Sequence, residues 1–247
     1  RDRIEAVVPG ARRNALFTRP LENFVQLWPQ LLELARTRPL QVAVLAAELP
    51  DIELAMAMAT ALAAPHGSRV TLVAGEAPLL ADQPPALQRR LQARLQALGI
   101  TVLHDQCVGI DAQYLELASG ARLQCDAPVF ASGTGTPAWL LESGLQLTET
   151  GALQLNERMQ SDSHRLVFVA PPAAPAETGP VLEANLRTAL GGGSFRKASL
   201  ATPRLHVLGC GHGHAVAAWG PLGLEGREVW NWKDRRDRRQ LAALFTL

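Results

Sequence analysis

The stretch Val42-Ala43-Val44-Leu45-Ala46-Ala47-Glu48-Leu49-Pro50-Asp51-Ile52-Glu53 decides how this chain folds. Its first four residues form a short apolar run that predicts a buried strand, and the apolar residues from Ile52 onward predict a buried helix. The residues 46–51 are all that join the two. A strand joined to a helix by so short a turn is typical of a βαβ unit, from which parallel sheets are built.

In a dinucleotide-binding βαβ unit, this turn carries the sequence G-x-G-x-x-G. Here the three glycine positions are Ala46, Glu48 and Asp51. Glycine lets the backbone approach a pyrophosphate, which also accepts N–H groups of the helix N-terminus. Two acidic side chains and Pro50, which has no N–H, oppose such binding. We expect Asp51 to be the N-cap of a helix that starts at Ile52, with Glu48 solvated; the alternative is a rearranged turn that still binds a nucleotide.

Composition limits the class of protein. The chain has 247 residues, of which 47% are hydrophobic, and a formal charge of +1, which gives no sign of a nucleic-acid-binding protein. Three scattered cysteines, Cys107, Cys125 and Cys210, do not form a disulfide framework, so we expect a reducing, cytoplasmic setting. No apolar run reaches the roughly 20 residues of a membrane-spanning helix. The chain starts at Arg1 without a signal-peptide pattern, and we expect a further segment ahead of it.

The alternation of strands and helices continues along the chain. Strands are predicted at 41–45, 70–73, 100–103, 129–132, 205–209 and 215–219, and helices at 21–38, 51–63, 84–98, 181–190 and after Trp230. Ser119-Gly120 predicts a hairpin between 114–118 and 121–124. Pro29 is expected to break or kink the first long helix, and the Pro/Ala-rich segment 171–180 is predicted to be a loop. The pattern predicts an α/β fold with a parallel sheet.

Five segments in order carry a family resemblance. They are residues 42–62, 69–111, 125–147, 159–173 and 205–239, the last of which contains WNWKDRRDRR at 230–239. Together they resemble the pyridine nucleotide-disulfide oxidoreductase superfamily, in particular type II NADH dehydrogenase-like flavoproteins and the forms fused to selenide, water dikinase. The resemblance implies an FAD/NAD(P)-binding, Rossmann-like three-layer fold. Its NAD(P)H-type domain (40–150) would be inserted in a partial FAD-type domain (1–39 and 151–200), followed by a small α+β interface element (201–247).

The resemblance also implies residues that contact the nicotinamide cofactor. Ala46 and Ala47 lie in the place of the NAD-binding turn, and Glu53 matches a helix glutamate near the nicotinamide. Ala74 stands where an acid would bind the ribose, and Ser132-Gly133-Thr134 matches the family's A-T-G strand end. From the residues alone, Glu53 has a second interpretation, as a partly buried helix acid with an internal partner.

On the flavin side the sequence departs from the family. Pro171-Pro172 replaces the Gly-Asp pair whose carboxylate holds the ribityl chain, and no Gly-rich unit for FAD matches. The resemblance implies FAD and NAD(P)H as cofactors, and a hydride passing from NAD(P)H through FAD to a quinone or another small acceptor. The catalytic residues are not identifiable. The alternative is a degenerate, non-catalytic relative that serves as a binding or assembly scaffold.

The segment 210–214 is a candidate metal or nucleophile site. Cys210, His212 and His214 alternate around two glycines and would share a face if they lay in a strand, but a fourth metal ligand is missing, so no metal is predicted. The same residues could form a nucleophilic Cys–His pair, for which no orienting acid lies nearby in sequence.

The basic C-terminal helix is the last candidate. Its cations are Lys233, Arg235, Arg236, Arg238 and Arg239, beside Trp230, Trp232, Leu241, Leu244 and Phe245. This composition favours peripheral attachment to anionic lipid at the inner face of the membrane. The alternative is a helix at a homodimer or interdomain interface, with Asp234 and Asp237 pairing locally.

Overall fold

The computed structural model describes residues 8–45, 48–64, 66–75, 79–81, 83–131, 138–148, 152–169, 175–198 and 205–244. The chain divides into two compact units, residues 1–133 with 205–247, and residues 134–204.

The first unit is built on a five-stranded parallel sheet. Its strands are β1 (Leu16–Phe17), β2 (Gln41–Leu45), β3 (Arg69–Val73), β4 (Thr101–Leu103) and β8 (Ala127–Phe130), in the order β1-β8-β2-β3-β4. All four neighbouring pairs are parallel. The predicted α/β fold with a parallel sheet is therefore confirmed.

Four helices accompany this sheet: α1 (Ala11–Asn14), α2 (Leu21–Thr37), α3 (Leu49–Leu62) and α4 (Pro85–Ala97). Helix α2 is continuous through Pro29, so the expected break does not occur, and a kink at Pro29 stays a prediction. Proline removes one backbone hydrogen bond, and tertiary packing compensates, because Trp28 and Leu32 lie against the core on either side of it. Helix α4, predicted over 84–98, buries a stripe of three leucines, Leu87, Leu91 and Leu95.

A small antiparallel sheet follows β4. It consists of β5 (Cys107–Ile110), β6 (Tyr114–Leu117) and β7 (Arg122–Gln124), in that order. The hairpin predicted at Ser119-Gly120 joins β6 and β7. Strand β5 was not predicted, because its apolar pattern is short and interrupted by Gly109, where the pairing with β6 shifts register.

The third sheet contains β9 (Leu205–Gly209), β10 (Ala215–Trp219) and β11 (Leu222–Gly226), with β10 in the middle. One face buries Leu208, Val216 and Ala218 in the main hydrophobic cluster, which also contains residues of α3 and α4. Helix α7 (Arg227–Leu244) follows β11 directly. The sheet therefore fixes the C-terminal helix to the first unit.

The second unit contains α5 (Ala138–Glu142), α6 (Pro175–Gly191) and isolated antiparallel bridges between 147 and 168. The prediction of a loop over 171–180 is wrong for 175–180, which are helical. Pro175 is the first helical residue, where no N–H is needed. The buried Asn185 ties α6 to the chain, because its amide donates to the carbonyls of Arg158 and Arg196.

Candidate functional site

The strand order places a topological switch point between β2 and β8. From β2 the chain proceeds to β3 and β4 on one side, whereas β8 returns on the other. Leu45 and Phe130, at the carboxyl ends of these two strands, are register partners. In open α/β sheets, ligands bind outside the carboxyl ends of the strands at such a point. This edge is therefore the candidate nucleotide-binding site.

Where the turn from β2 enters α3, two acidic residues accept hydrogen bonds from each other's backbone N–H groups. Glu48 is the N-cap of α3, and its side chain accepts from the backbone N–H of Asp51. In return, the Asp51 carboxylate accepts from the backbone N–H of Glu48 at 3.0 Å. This reciprocal capping box uses two carboxylates to hold the first turn of the helix.

The prediction that Asp51 is the N-cap is wrong. The helix begins at Leu49, three residues before the predicted start at Ile52, so Asp51 occupies the third helical position and is buried, with only 3% of its surface exposed. Pro50 stands in the first turn, where a missing N–H is tolerated. Glu48 is exposed, as predicted.

This arrangement does not fit a dinucleotide pyrophosphate. A pyrophosphate at the helix N-terminus needs free N–H groups, and those of Glu48 and Asp51 already donate to carboxylates. A phosphate charge placed about 4 Å from either carboxylate would be repelled by roughly 4 kcal/mol at an intermediate dielectric constant. The favourable end of the helix dipole therefore already holds the chain's own anions.

Glu53, in the next turn of α3, contacts the C-terminal element. Its Oε1 accepts from the backbone N–H of Gly209 at 2.9 Å and lies 3.0 Å from Lys233 Nζ. A Cβ at Gly209 would lie 2.9 Å from this oxygen and from the Trp230 ring, so glycine is required for the approach. Glu53 thus has internal partners, as its second interpretation expected. A role in cofactor binding stays a prediction.

Lys233 holds two carboxylates together. Its Nζ lies 2.7 Å from Asp237 as well as 3.0 Å from Glu53, and its side chain is largely buried. Burial by itself lowers the pKa of the Lys233 ammonium, but the hydrogen bonds and charges of Asp237 and Glu53 outweigh it and raise the pKa above 10.5. Lys233 therefore remains charged at neutral pH. No feature of the sequence connects residues 53 and 233, which lie far apart in the chain.

Of the other predicted cofactor contacts, the structure describes Ala74. It follows β3, and its backbone N–H donates to Leu103 O at 2.9 Å. Its methyl side chain offers no acceptor for a ribose hydroxyl. The remaining predicted residues, together with the proline pair on the flavin side, lie outside the described residues: Ala46, Ala47, Ser132, Gly133, Thr134, Pro171 and Pro172.

Cys210, His212 and His214 lie in the tight turn between β9 and β10 and not in a strand. The Cys210 N–H donates to His214 O at 2.7 Å, and the His214 N–H donates to Gly211 O at 3.0 Å. Burial raises the pKa of the Cys210 thiol to about 11, although Arg94 acts in the opposite direction. Within the described ranges, no group of three or more His, Cys, Asp or Glu side chains is arranged to hold a metal ion.

The C-terminal helix pairs its acids locally, as the alternative interpretation expected. Asp234 accepts from Arg238 at 2.8 Å, and Asp237 pairs with Lys233. A concave surface of about 400 Å³ runs along the helix and is lined by Trp232, Arg235, Arg236, Arg239 and Gln240. None of the helices, as far as the structure describes them, has the length and apolar character needed to cross a bilayer.

The parallel sheet, its switch point and the strand–turn–helix at 41–62 define a Rossmann-like nucleotide-binding class of fold. The chain belongs to the pyridine nucleotide-disulphide oxidoreductase family, whose model matches residues 38–178, more than half of the chain. The superfamily predicted from the sequence is thereby confirmed. No curated protein sequence matches the chain significantly.

Several solved structures share a similar fold at low sequence identity. The reduced CoADR-RHD of Bacillus anthracis has a TM-score of 0.59 at 18% identity, covering 85% of this chain and 39% of that chain. A ferredoxin reductase of Rhodopseudomonas palustris has a TM-score of 0.59 at 18% identity, covering 85% and 54%. The water-forming NADH oxidase of Lactobacillus brevis, bound to NADH, has a TM-score of 0.56 at 12% identity, covering 85% and 48%. The chain thus spans about half or less of the structures that it matches.

Proposed function

We propose that this chain retains the fold of an FAD-dependent NAD(P)H oxidoreductase and acts as a binding or assembly module. In this proposal it does not bind NAD(P)H at the turn between β2 and α3. The observation that carries the proposal is the capping box between Glu48 and Asp51, which occupies the N–H groups that a pyrophosphate would need. Glu53 supports it too, because its carboxylate is bound to Gly209 and Lys233.

A second candidate is an active oxidoreductase that passes hydride from NAD(P)H through FAD to a quinone or another small acceptor. Two observations favour it: the family match over residues 38–178 and the retained glutamate at position 53. In this case the dinucleotide would contact the switch point without using the N-terminus of α3. The protein would supply orientation and electrostatics, and the flavin would carry the hydride chemistry.

The test is the absorption spectrum of the purified protein, together with its thermal unfolding with and without NADH. The scaffold function predicts no flavin bands and no rise in Tm with NADH, since a ligand that binds only the folded state must stabilise it. Flavin bands that bleach on addition of NADH would establish the second candidate and contradict the first.

A further inference from the structure

One face of helix α7 contacts the rest of the first unit. Trp230, Lys233 and Asp237 are spaced at i, i+3 and i+7, which places them on one side of the helix. A Cβ at Gly209 would meet the Trp230 ring at 2.9 Å. The Lys233 ammonium lies 3.0 Å from Glu53 and 2.7 Å from Asp237. This face is therefore occupied by contacts within the chain.

A second face of α7 carries a basic stripe. Its members follow the i, i+3, i+4, i+7, i+8 spacing of a single helix face and line the concave surface of about 400 Å³: Trp232, Arg235, Arg236, Arg239 and Gln240. With about 3.6 residues in each helical turn, the centre of the stripe lies roughly a third of a turn away from the face of Trp230 and Lys233. The stripe is therefore separate from the face that holds the helix in place.

The acids of α7 next to the stripe already have cationic partners. Asp234 accepts from Arg238 at 2.8 Å, and Asp237 accepts from Lys233 at 2.7 Å. Neither of these two cations belongs to the stripe. The two acids are therefore neutralised without the arginines of the stripe.

Two of the three guanidinium groups in the stripe are not in ion pairs. Arg236 lies over the Trp232 ring, 5.0 Å from its centroid, and approaches Asp237 at 3.3 Å. Among the described residues, no carboxylate forms an ion pair with Arg235 or Arg239, and both are exposed. A guanidinium group binds a carboxylate or a phosphate through two parallel hydrogen bonds. The stripe therefore offers two such groups to an anionic partner.

The shape of the stripe favours a long partner over a small molecule. All of its described lining residues belong to one helix, so a small ligand would be covered from one side only, whereas small-molecule sites bury about 70–90% of their ligand. From Trp232 to Gln240 the stripe extends over about 12 Å of helix. Trp232, Arg235 and Arg239 are separated by three and then four residues, the spacing at which one helix packs along another. A facing helix with acids four residues apart matches the two arginines.

We propose that the basic stripe is a docking site for an acidic helical segment of a partner protein, with Trp232 as the apolar anchor of the contact. Tryptophan and arginine are among the residues that contribute most to the binding energy of protein interfaces. The inference rests on the proposed function, because it names the kind of partner that the binding module would hold.

The distribution of charge argues against two other occupants. A second copy docked through the same face would place arginine opposite arginine, because a twofold interface brings the same patch of both subunits together. A nucleic acid carries continuous negative charge. The carboxylates of Asp234 and Asp237, which alternate with the arginines, oppose it, and the chain's net charge of +1 adds no long-range attraction. A protein segment can place its acids opposite Arg235 and Arg239 alone.

The experiment is a titration of a fluorescent helical peptide with the purified full chain, followed by anisotropy at low salt. The probe is built of Ala, Leu and Glu, with glutamates at i, i+4 spacing over about 20 residues, which is long enough to form a helix. A second peptide, with glutamine in place of every glutamate, should bind at least about tenfold more weakly. Binding of the glutamate peptide should also fall with added salt.

Variants of the stripe test where the peptide binds. Arg235→Gln with Arg239→Gln should weaken binding of the glutamate peptide at least about tenfold, because two charge pairs are lost. Trp232→Ala should weaken it at least about fivefold, the loss typical of an aromatic anchor. Denaturant unfolding should show the same stability for the arginine variant as for the parent, because both positions are exposed.

The matched control is Arg227→Gln with Arg238→Gln, which removes the same charge from exposed positions of the same helix outside the stripe. It should bind the glutamate peptide like the parent. The proposal is overturned if the control loses as much binding as the stripe variant, or if the two peptides bind equally well. It is also overturned if the parent does not bind the glutamate peptide but binds vesicles of phosphatidylglycerol or a single-stranded oligonucleotide.

Flavin absorbance and the NADH response, recorded on the same preparation, separate this inference from the proposed function. Flavin bands that bleach with NADH contradict the proposed function, whatever the peptide does. A colourless chain that does not respond to NADH and does not bind the glutamate peptide overturns the docking site alone.

Discussion

The backbone N–H of Glu48 donates to the carboxylate of Asp51 across 3.0 Å, at the turn where a nucleotide-binding relative would hold a pyrophosphate. In turn, the Glu48 side chain accepts a hydrogen bond from the backbone N–H of Asp51. The same electrostatics that attract a phosphate to a helix N-terminus thus stabilise these carboxylates instead. In this chain, the N-terminus of α3 therefore binds the chain's own carboxylates in a capping box.

Removal of the buried partner should therefore destabilise the fold. We expect Asp51→Ala to lower the free energy of unfolding by about 1–2 kcal/mol, the usual cost of losing a cap. Glu48→Ala should cost less, because Glu48 is exposed. Glu33→Ala on α2, which removes an exposed acid from an i,i+3 pair, is the control and should change stability by less than about 0.5 kcal/mol. Urea denaturation measures all three, and equal effects of Asp51→Ala and Glu33→Ala would contradict the capping role.

The ammonium of Lys233 should be the second stabilising feature. Lys233→Met keeps the aliphatic stem but leaves the carboxylates of Glu53 and Asp237 without their shared cation, so a loss of about 1–3 kcal/mol is expected. Arg187→Met removes an exposed i,i+4 pair with Glu183 and should cost less than about 0.5 kcal/mol. If the two substitutions proved equivalent, the Lys233 bridge would have no special role.

The pKa of Lys233 predicts how this contribution varies at alkaline pH. Because its pKa in the folded state lies above 10.5, the stabilisation is complete below that value and is lost as the pH rises through the folded-state pKa. The difference in unfolding free energy between the parent and Lys233→Met should be constant near neutrality and should shrink at high alkaline pH. A difference that grew with pH would have the wrong sign.

Asp126 should act at the opposite end of the pH scale. Burial raises its pKa, but the ion pair with Arg38 at 2.9 Å and the N–H of Gln41 at 2.7 Å outweigh burial and hold the pKa below 3.8. Its contribution is present above 3.8 and is lost as the pH falls through the lower folded-state value. Asp126→Asn should therefore destabilise the chain at neutral pH and match the parent in strong acid. Unfolding curves across the acid range check this.

The three cysteines should be unreactive in the folded protein. All are buried, and burial raises the pKa of the Cys107 and Cys210 thiols to about 11 and of Cys125 to about 12. At neutral pH we expect a thiol reagent to label them only after the chain is unfolded by denaturant. Rapid labelling of one thiol under native conditions would contradict the burial described here.

Local patterns predicted the strands and several turns well. The strands 41–45, 205–209 and 215–219 were predicted to the residue, because each is a short apolar run bounded by turn residues. Strand β11 was missed because Gly223 and Gly226 dilute its pattern. This strand forms because it pairs with β10, a contact that the local sequence does not indicate.

At the candidate site, the sequence did not predict the residue at which α3 begins or the partners of Glu53. Glu48 and Asp51 can both cap a helix, and composition alone does not decide which of them takes the N-cap. The register follows from the packing of Ile52, Ala55 and Met56 in the core, which fixes where α3 starts. Likewise, no local pattern in α3 or α7 indicates that Glu53 and Lys233 meet, because the contact joins residues that are distant in the sequence.

The most direct test of the central claim is the affinity for NADH of the parent chain and of a Glu48→Gly, Asp51→Gly variant, measured by calorimetric titration. If the capping carboxylates occupy the pyrophosphate position, the parent should show no saturable binding up to millimolar NADH, and the glycine variant should bind at least about tenfold more tightly, since two repulsive charges are removed. Micromolar binding by the parent that is unchanged or weakened in the glycine variant would contradict the account.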